Sequence, residues 1–166
     1  MPMIIDTIAL DLEGTLISNA VSQFPRPGLY DFLEFCSASC RQVVLFTAVP
    51  EELARRILDL LVEEKAAPPW FRSVPYVEWD LHFKDLDNIP SADASRSLIV
   101  DDNPDYILPE QRSCWIPVEK YQSPYPDDDE RLDRARRLIE AIISRQSPAC
   151  DVPGDAPDEC DRIQSR

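Results

Sequence analysis

The chain has 166 residues, 44% of them hydrophobic and 29% charged, which suits one globular domain with a real core rather than two small ones. With 17 basic against 31 acidic side chains its formal charge is −14, a field that repels polyanions and argues against a nucleic-acid partner. No apolar run approaches the roughly 20 residues of a membrane helix, and the N-terminus lacks the basic region and small-residue cleavage site of a signal peptide, so no membrane partner and a cytoplasmic location are expected.

Residues 4–10 read as a first strand, interrupted by Asp6 near its start, that runs into Asp11-Leu12-Glu13-Gly14-Thr15. Pro25-Arg26-Pro27-Gly28 is a loop, and Pro27 suits the first turn of a helix over about 28–38, with Leu29, Phe32, Leu33 and Cys36 at helical spacing. Residues 43–46 predict a second buried strand ending at Thr47. Pro50 and the acidic pair Glu51-Glu52 then open a helix reaching about residue 65, with Leu53, Ile57, Leu60 and Leu61 inward. Residues 66–75 form a loop rich in Pro and aromatics, and the partly alternating stretch 76–83 predicts a strand or short hairpin just before Lys84.

Further strands are expected over 97–100, ending at Asp101-Asp102-Asn103, and over 114–118. The run Asp127-Asp128-Asp129-Glu130 starts a last amphipathic helix with Leu132, Ala135, Leu138, Ile139, Ile142 and Ile143 inward. From 147 the composition shifts to Pro, Asp, Gly and Ser without periodicity, so residues 147–166 read as a flexible tail beyond a domain spanning 1–146. Five cysteines, Cys36, Cys40, Cys114, Cys150 and Cys160, form an odd set without zinc-type pairing and read as inert thiols.

Strands alternating with helices imply an α/β fold around a parallel sheet, and open sheets of that kind bind ligands outside the carboxyl ends of their strands. Parallel strands would bring Asp11, Asp101, Asp102, the Thr47 hydroxyl and the Lys84 ammonium to one such crevice. That set can hold a divalent cation and a phosphoryl group. The chain has three glycines and no GxGxxG or GxxxxGK[ST] loop, which excludes a nucleotide cradle of those kinds.

Four islands carry a family resemblance: Asp11-Leu12-Glu13-Gly14-Thr15-Leu16, Leu45-Phe46-Thr47-Ala48, Lys84-Asp85-Leu86 and Ile99-Val100-Asp101-Asp102-Asn103-Pro104. In that order they resemble the haloacid dehalogenase (HAD) superfamily, most nearly its branch of NLI-interacting-factor-like and RNA polymerase C-terminal-domain phosphatases. The resemblance implies a HAD-like Rossmannoid with a parallel sheet of about five strands flanked by helices. It also implies an Mg²⁺-dependent phosphomonoester hydrolase working through an aspartyl-phosphate. Asp11 would be the nucleophile, and Asp11, Asp102 and the backbone carbonyl of Glu13 the metal ligands. Thr47 and Lys84 would hold the phosphoryl group, Gly14 and Thr15 would line the phosphate turn, and Asp101 would position Lys84.

One residue departs from the family pattern: the second acid, the general acid and then base, is usually Asp and here is Glu13. The extra methylene shifts the carboxylate by about an ångström, and misplacement of that order can cost about 10²-fold. A working phosphatase, a slow one and a phosphate-binding or interaction protein that has lost activity all remain open.

The spacings from Asp11 to Thr47 and from Thr47 to Lys84 leave no room for a large cap domain. An uncapped site suits a phosphate protruding from a protein or other large substrate, and a small molecule would need walls from another subunit; oligomeric state is not readable. Tyr76, Trp79 and Phe83 read as packing residues that could also line the mouth, and His82 as a partly exposed side chain. A response-regulator receiver is excluded by order, since there the paired acids follow the first strand and the Lys comes last.

Overall fold

A computed structural model describes residues 4–146, so the expected tail at 147–166 lies outside the described residues. The sheet holds β1 (Ile5–Leu10), β2 (Cys40–Leu45), β3 (Ser97–Asp101) and β4 (Trp115–Pro117) in the spatial order β2-β1-β3-β4. Every pairing is parallel, as the alternation of strands and helices predicts. Burial on both faces explains the near-continuous apolar composition of the two central strands.

Helices α1 (Leu29–Ser39), α2 (Glu51–Glu63) and α3 (Arg131–Gln146) all contribute to one core layer, where they meet Ile8, Leu10, Val43, Leu45, Leu98 and Val100 of the sheet. The alternate strand residues Ala9, Val44 and Ile99 face a second layer with Phe46, Val77, Leu86, Ile89 and Ile107. Short 3₁₀ turns at Leu86–Asn88 and Pro104–Tyr106, rather than helices, lie along that side.

Inward assignments from periodicity differ in two helices. In α2 the buried stripe is Ala54, Ile57, Leu58 and Leu61, whereas Leu53 is 36% exposed. In α3 the stripe is Leu132, Ala135 and Ile139, and Leu138 faces out. In both helices a leucine beside the apolar stripe falls just off the face that the sheet covers.

The expected strand or hairpin at 76–83 reduces to one parallel bridge, Leu45 to Tyr76, held by Leu45 N to Pro75 O at 2.8 Å and Val77 N to Leu45 O at 2.9 Å. Trp79 turns away to donate Nε1 to Thr47 O at 2.8 Å, and Leu81 adopts φ +67°, which breaks an extended run. The sheet among the described residues is therefore four strands plus a bridge.

Asp6, at the amino end of β1, is buried because Arg41 of β2 binds it through Nε at 2.7 Å and Nη2 at 3.1 Å, with Asp93 N donating at 2.9 Å. The charge that interrupts the first strand thus serves as a clasp, at the end of the sheet opposite Asp11.

Candidate active site

Strand register assembles the site. Leu10 pairs with Leu45 on one side and Val100 on the other, so Asp11 and Asp101, each one residue further, leave adjacent strands at the same level. Asp11 N still donates to Val100 O at 3.0 Å, and Phe46 N to Leu10 O at 2.8 Å. The chain then separates, and the side chains at the strand tips converge.

Lys84 comes from the irregular segment after Trp79, fixed by its own N to Tyr106 O at 2.8 Å. Its ammonium is buried, donates to Asp11 Oδ1 at 2.9 Å and contacts Asp101 Oδ2. The rings of Trp79 and Tyr106 stand 5.4 Å and 5.3 Å from it, adding cation–π contacts to a cation almost wholly out of water. Burial alone would lower the Lys84 pKa, but the charges of Asp11 and Asp101 outweigh it and raise it, so the residue stays protonated.

Thr15 ties the carboxylates together. Its Oγ1 lies 2.8 Å from Asp11 Oδ2 and 3.1 Å from Asp102 Oδ1, and it accepts from Asp102 N at 3.1 Å. That hydroxyl is engaged with the acids. Gly14, at φ +79°, brings the loop against Asp102: a Cβ there would meet Asp102 Oδ2 at 2.7 Å. Thr47 is buried, and its Oγ1 accepts from Val49 N at 3.2 Å, which leaves its own proton free to donate.

Asp11, Asp101 and Asp102 offer one oxygen each within 4.8 Å of one another. Among the described residues Lys84 is the one cation paired with these acids, so two negative charges are left over when all three ionise. Burial and the neighbouring Asp11 push Asp101 up to about 7 and Asp102 up to about 6. An all-oxygen donor set with surplus negative charge fits a hard divalent cation.

Glu13 goes elsewhere. It is exposed, and its Oε2 accepts from Ala20 N at 2.6 Å, outside the three-carboxylate cluster. Glu13 still lines the cavity of about 340 Å³ that opens over Asp11, Asp101 and Asp102, together with Thr47 and Tyr106. His82 is exposed beside Asp80, 3.4 Å away, and takes no part. Tyr76 and Trp79 pack, whereas Phe83 is exposed.

Sequence reasoning passed over Arg26 as a loop residue. It is 1% exposed, and its guanidinium binds Asp129 through Nε at 2.9 Å and Nη2 at 3.1 Å. It also donates to the carbonyls of Gly14 at 3.3 Å, Thr15 at 3.1 Å and Glu119 at 2.6 Å. The turn that carries the Asp11 motif is therefore braced from behind by the segment before α3. An Arg between two prolines was the available signal.

A parallel α/β sheet with acidic strand tips, a buried lysine and no large cap is the HAD-like Rossmann architecture. A family model described as NLI interacting factor-like phosphatase matches residues 6–149, and the chain belongs to that family. A search of curated proteins found no match. Family membership supports phosphatase activity, and no helix among the described residues is long and apolar enough to cross a membrane.

Proposed function

We propose that this chain is an Mg²⁺-dependent phosphomonoester hydrolase acting in the cytoplasm through an aspartyl-phosphate on Asp11. The observation that carries the reading is the placement of Asp11: buried, 2.9 Å from Lys84 Nζ, yet lining an open cavity. Free Cys36, Cys40 and Cys114 suit a reducing compartment. The uncapped cleft suits a phosphate carried on a protein or another large substrate.

In the first step an Asp11 carboxylate oxygen bonds to phosphorus while the bond to the leaving oxygen breaks, and protonated Glu13 gives its proton to that oxygen. Water then attacks phosphorus, Glu13 takes the water's proton, and the bond between Asp11 and phosphorus breaks to release phosphate. Lys84 neutralises phosphoryl charge beside Asp11, while Asp101 holds the ammonium in place. Thr47 donates its free hydroxyl proton to a phosphoryl oxygen. Asp11, Asp102 and the backbone carbonyl of Glu13 would hold Mg²⁺, which when bound supplies neutralising charge for the phosphoryl oxygens. To act, Glu13 gives up its bond to Ala20 N and turns into the cleft it already lines.

That bond also favours a second reading, a phosphate-binding or interaction protein in which Glu13 serves the loop instead of the reaction. Turnover of an aryl phosphate with and without Mg²⁺, compared with Asp11→Asn, separates the two. Mg²⁺-dependent hydrolysis abolished in Asp11→Asn is the expected result; metal-independent turnover or an active variant would overturn the mechanism.

A further inference from the structure

Lys120 lines the same cavity as Asp11 and Asp102, yet it has no hydrogen bond or ion pair among the described residues. Most exposed lysines are simply solvated. Two features set this one apart. The residues on both sides of it are tied down: Glu119 O accepts from the buried Arg26 Nη2 at 2.6 Å, and Tyr121 N donates to Gly14 O in the loop after Asp11 at 2.8 Å. The adjacent acid, Glu119, is occupied by Arg131 at 2.6 Å and does not neutralise it. A cation unpaired among the described residues thus lines a cleft whose other walls include the carboxylates of Asp11, Asp101 and Asp102 and the apolar Val49, Pro50 and Leu53.

The cavity, about 340 Å³, is of the size that small organic ligands occupy, so a phosphoryl group at Asp11 leaves room for part of its alcohol. On a chain of net charge −14, an alcohol carrying a second negative charge would be repelled unless a cation met it locally. We infer that Lys120 is a specificity-determining residue that receives a second anionic group, and that the preferred substrate is a phosphomonoester whose alcohol is itself anionic. The inference rests on the phosphatase reading and deepens it.

The test compares kcat/KM for phenyl phosphate with that for its ortho-, meta- and para-carboxylated forms, in Mg²⁺. The wild type should favour at least one carboxylated form by about tenfold, a preference that Lys120→Arg keeps, Lys120→Ala brings close to unity and Lys120→Glu reverses. Lys65→Ala, which removes a cation outside the cleft, should leave the ratio alone. A wild-type ratio near unity, a ratio unmoved by Lys120→Ala, or an equal loss in Lys65→Ala would overturn the assignment. Failure to hydrolyse phenyl phosphate speaks against the phosphatase reading instead. Calorimetry with phenylphosphonate and its carboxylated forms then reads the same ratio as binding, where loss of discrimination in Lys120→Ala supports the contact and its absence sinks it.

Discussion

Gly14 and Asp102 stand so close that a Cβ on the glycine would lie 2.7 Å from Oδ2 of the aspartate. The loop from β1 and the tip of β3 can meet only because that side chain is missing. Gly14→Ala should therefore act twice. The left-handed backbone at φ +79° costs about 1–3 kcal/mol with a side chain present. Displacing Asp102 should weaken Mg²⁺ by at least about tenfold. Thermal unfolding and a metal titration by calorimetry measure the two effects separately; unchanged metal affinity would show that Asp102 does not depend on the glycine.

The position of Glu13 gives a second prediction. Glu13→Gln keeps an acceptor for Ala20 N but has no proton to exchange, so kcat should fall by about 10²-fold, most with poor leaving groups. Glu13→Asp loses reach toward the loop and should retain or raise activity. Equal rates for all three proteins, across leaving groups of different pKa, would remove Glu13 from the chemistry.

Arg26 and Asp129 form a buried pair, 1% and 8% exposed, behind the catalytic turn. Arg26→Met should cost about 3–5 kcal/mol, because it leaves the Asp129 carboxylate without its counter-charge and the Thr15 carbonyl without its guanidinium donor. Asp129→Asn should cost less, since Arg26 keeps three carbonyl partners. Urea unfolding gives the order; a costlier Asp129→Asn would contradict the bracing role.

Stability should depend on pH in a direction that metal reverses. Burial and Asp11 raise Asp101 to about 7 and Asp102 to about 6, so the folded metal-free protein binds protons that the unfolded chain has already released. Stability then falls as pH rises from about 4 to about 7. Asp6 works the other way: its bonds to Arg41 hold its pKa well below the usual range, so its contribution is present above about pH 4 and lost on acidification. In chelator the melting temperature should drop between pH 5 and 7.5, by analogy with this linkage, and saturating Mg²⁺ should raise it most at the higher pH. A flat profile in chelator would mean the cluster does not titrate there.

Much of the candidate site was legible because its side chains stand at strand ends. Asp11, Thr47, Asp101 and Asp102 each follow a short apolar run, and parallel register does the rest. Lys84 was legible only through its spacing, since no strand delivers it; the backbone of Tyr106 and two aromatic rings fix it. The expected strand before it was wrong in extent because alternation at 76–83 records packing of single aromatics, such as Trp79 on Phe46 with rings 5.7 Å apart, and not a ladder.

What the amino-acid order determined by itself was the parallel α/β class and the acids at the strand tips, because short continuous apolar runs and helical stripes are local signals, and the family, because its motif islands are contiguous in the chain. Tertiary structure alone decided that Glu13 points to Ala20, that the Thr15 hydroxyl binds the acids, that Leu53 lines the cleft and that Arg26 braces the turn. Each of those outcomes depends on which partner is nearest in space, and partners 4 to 103 residues away leave no mark on local periodicity.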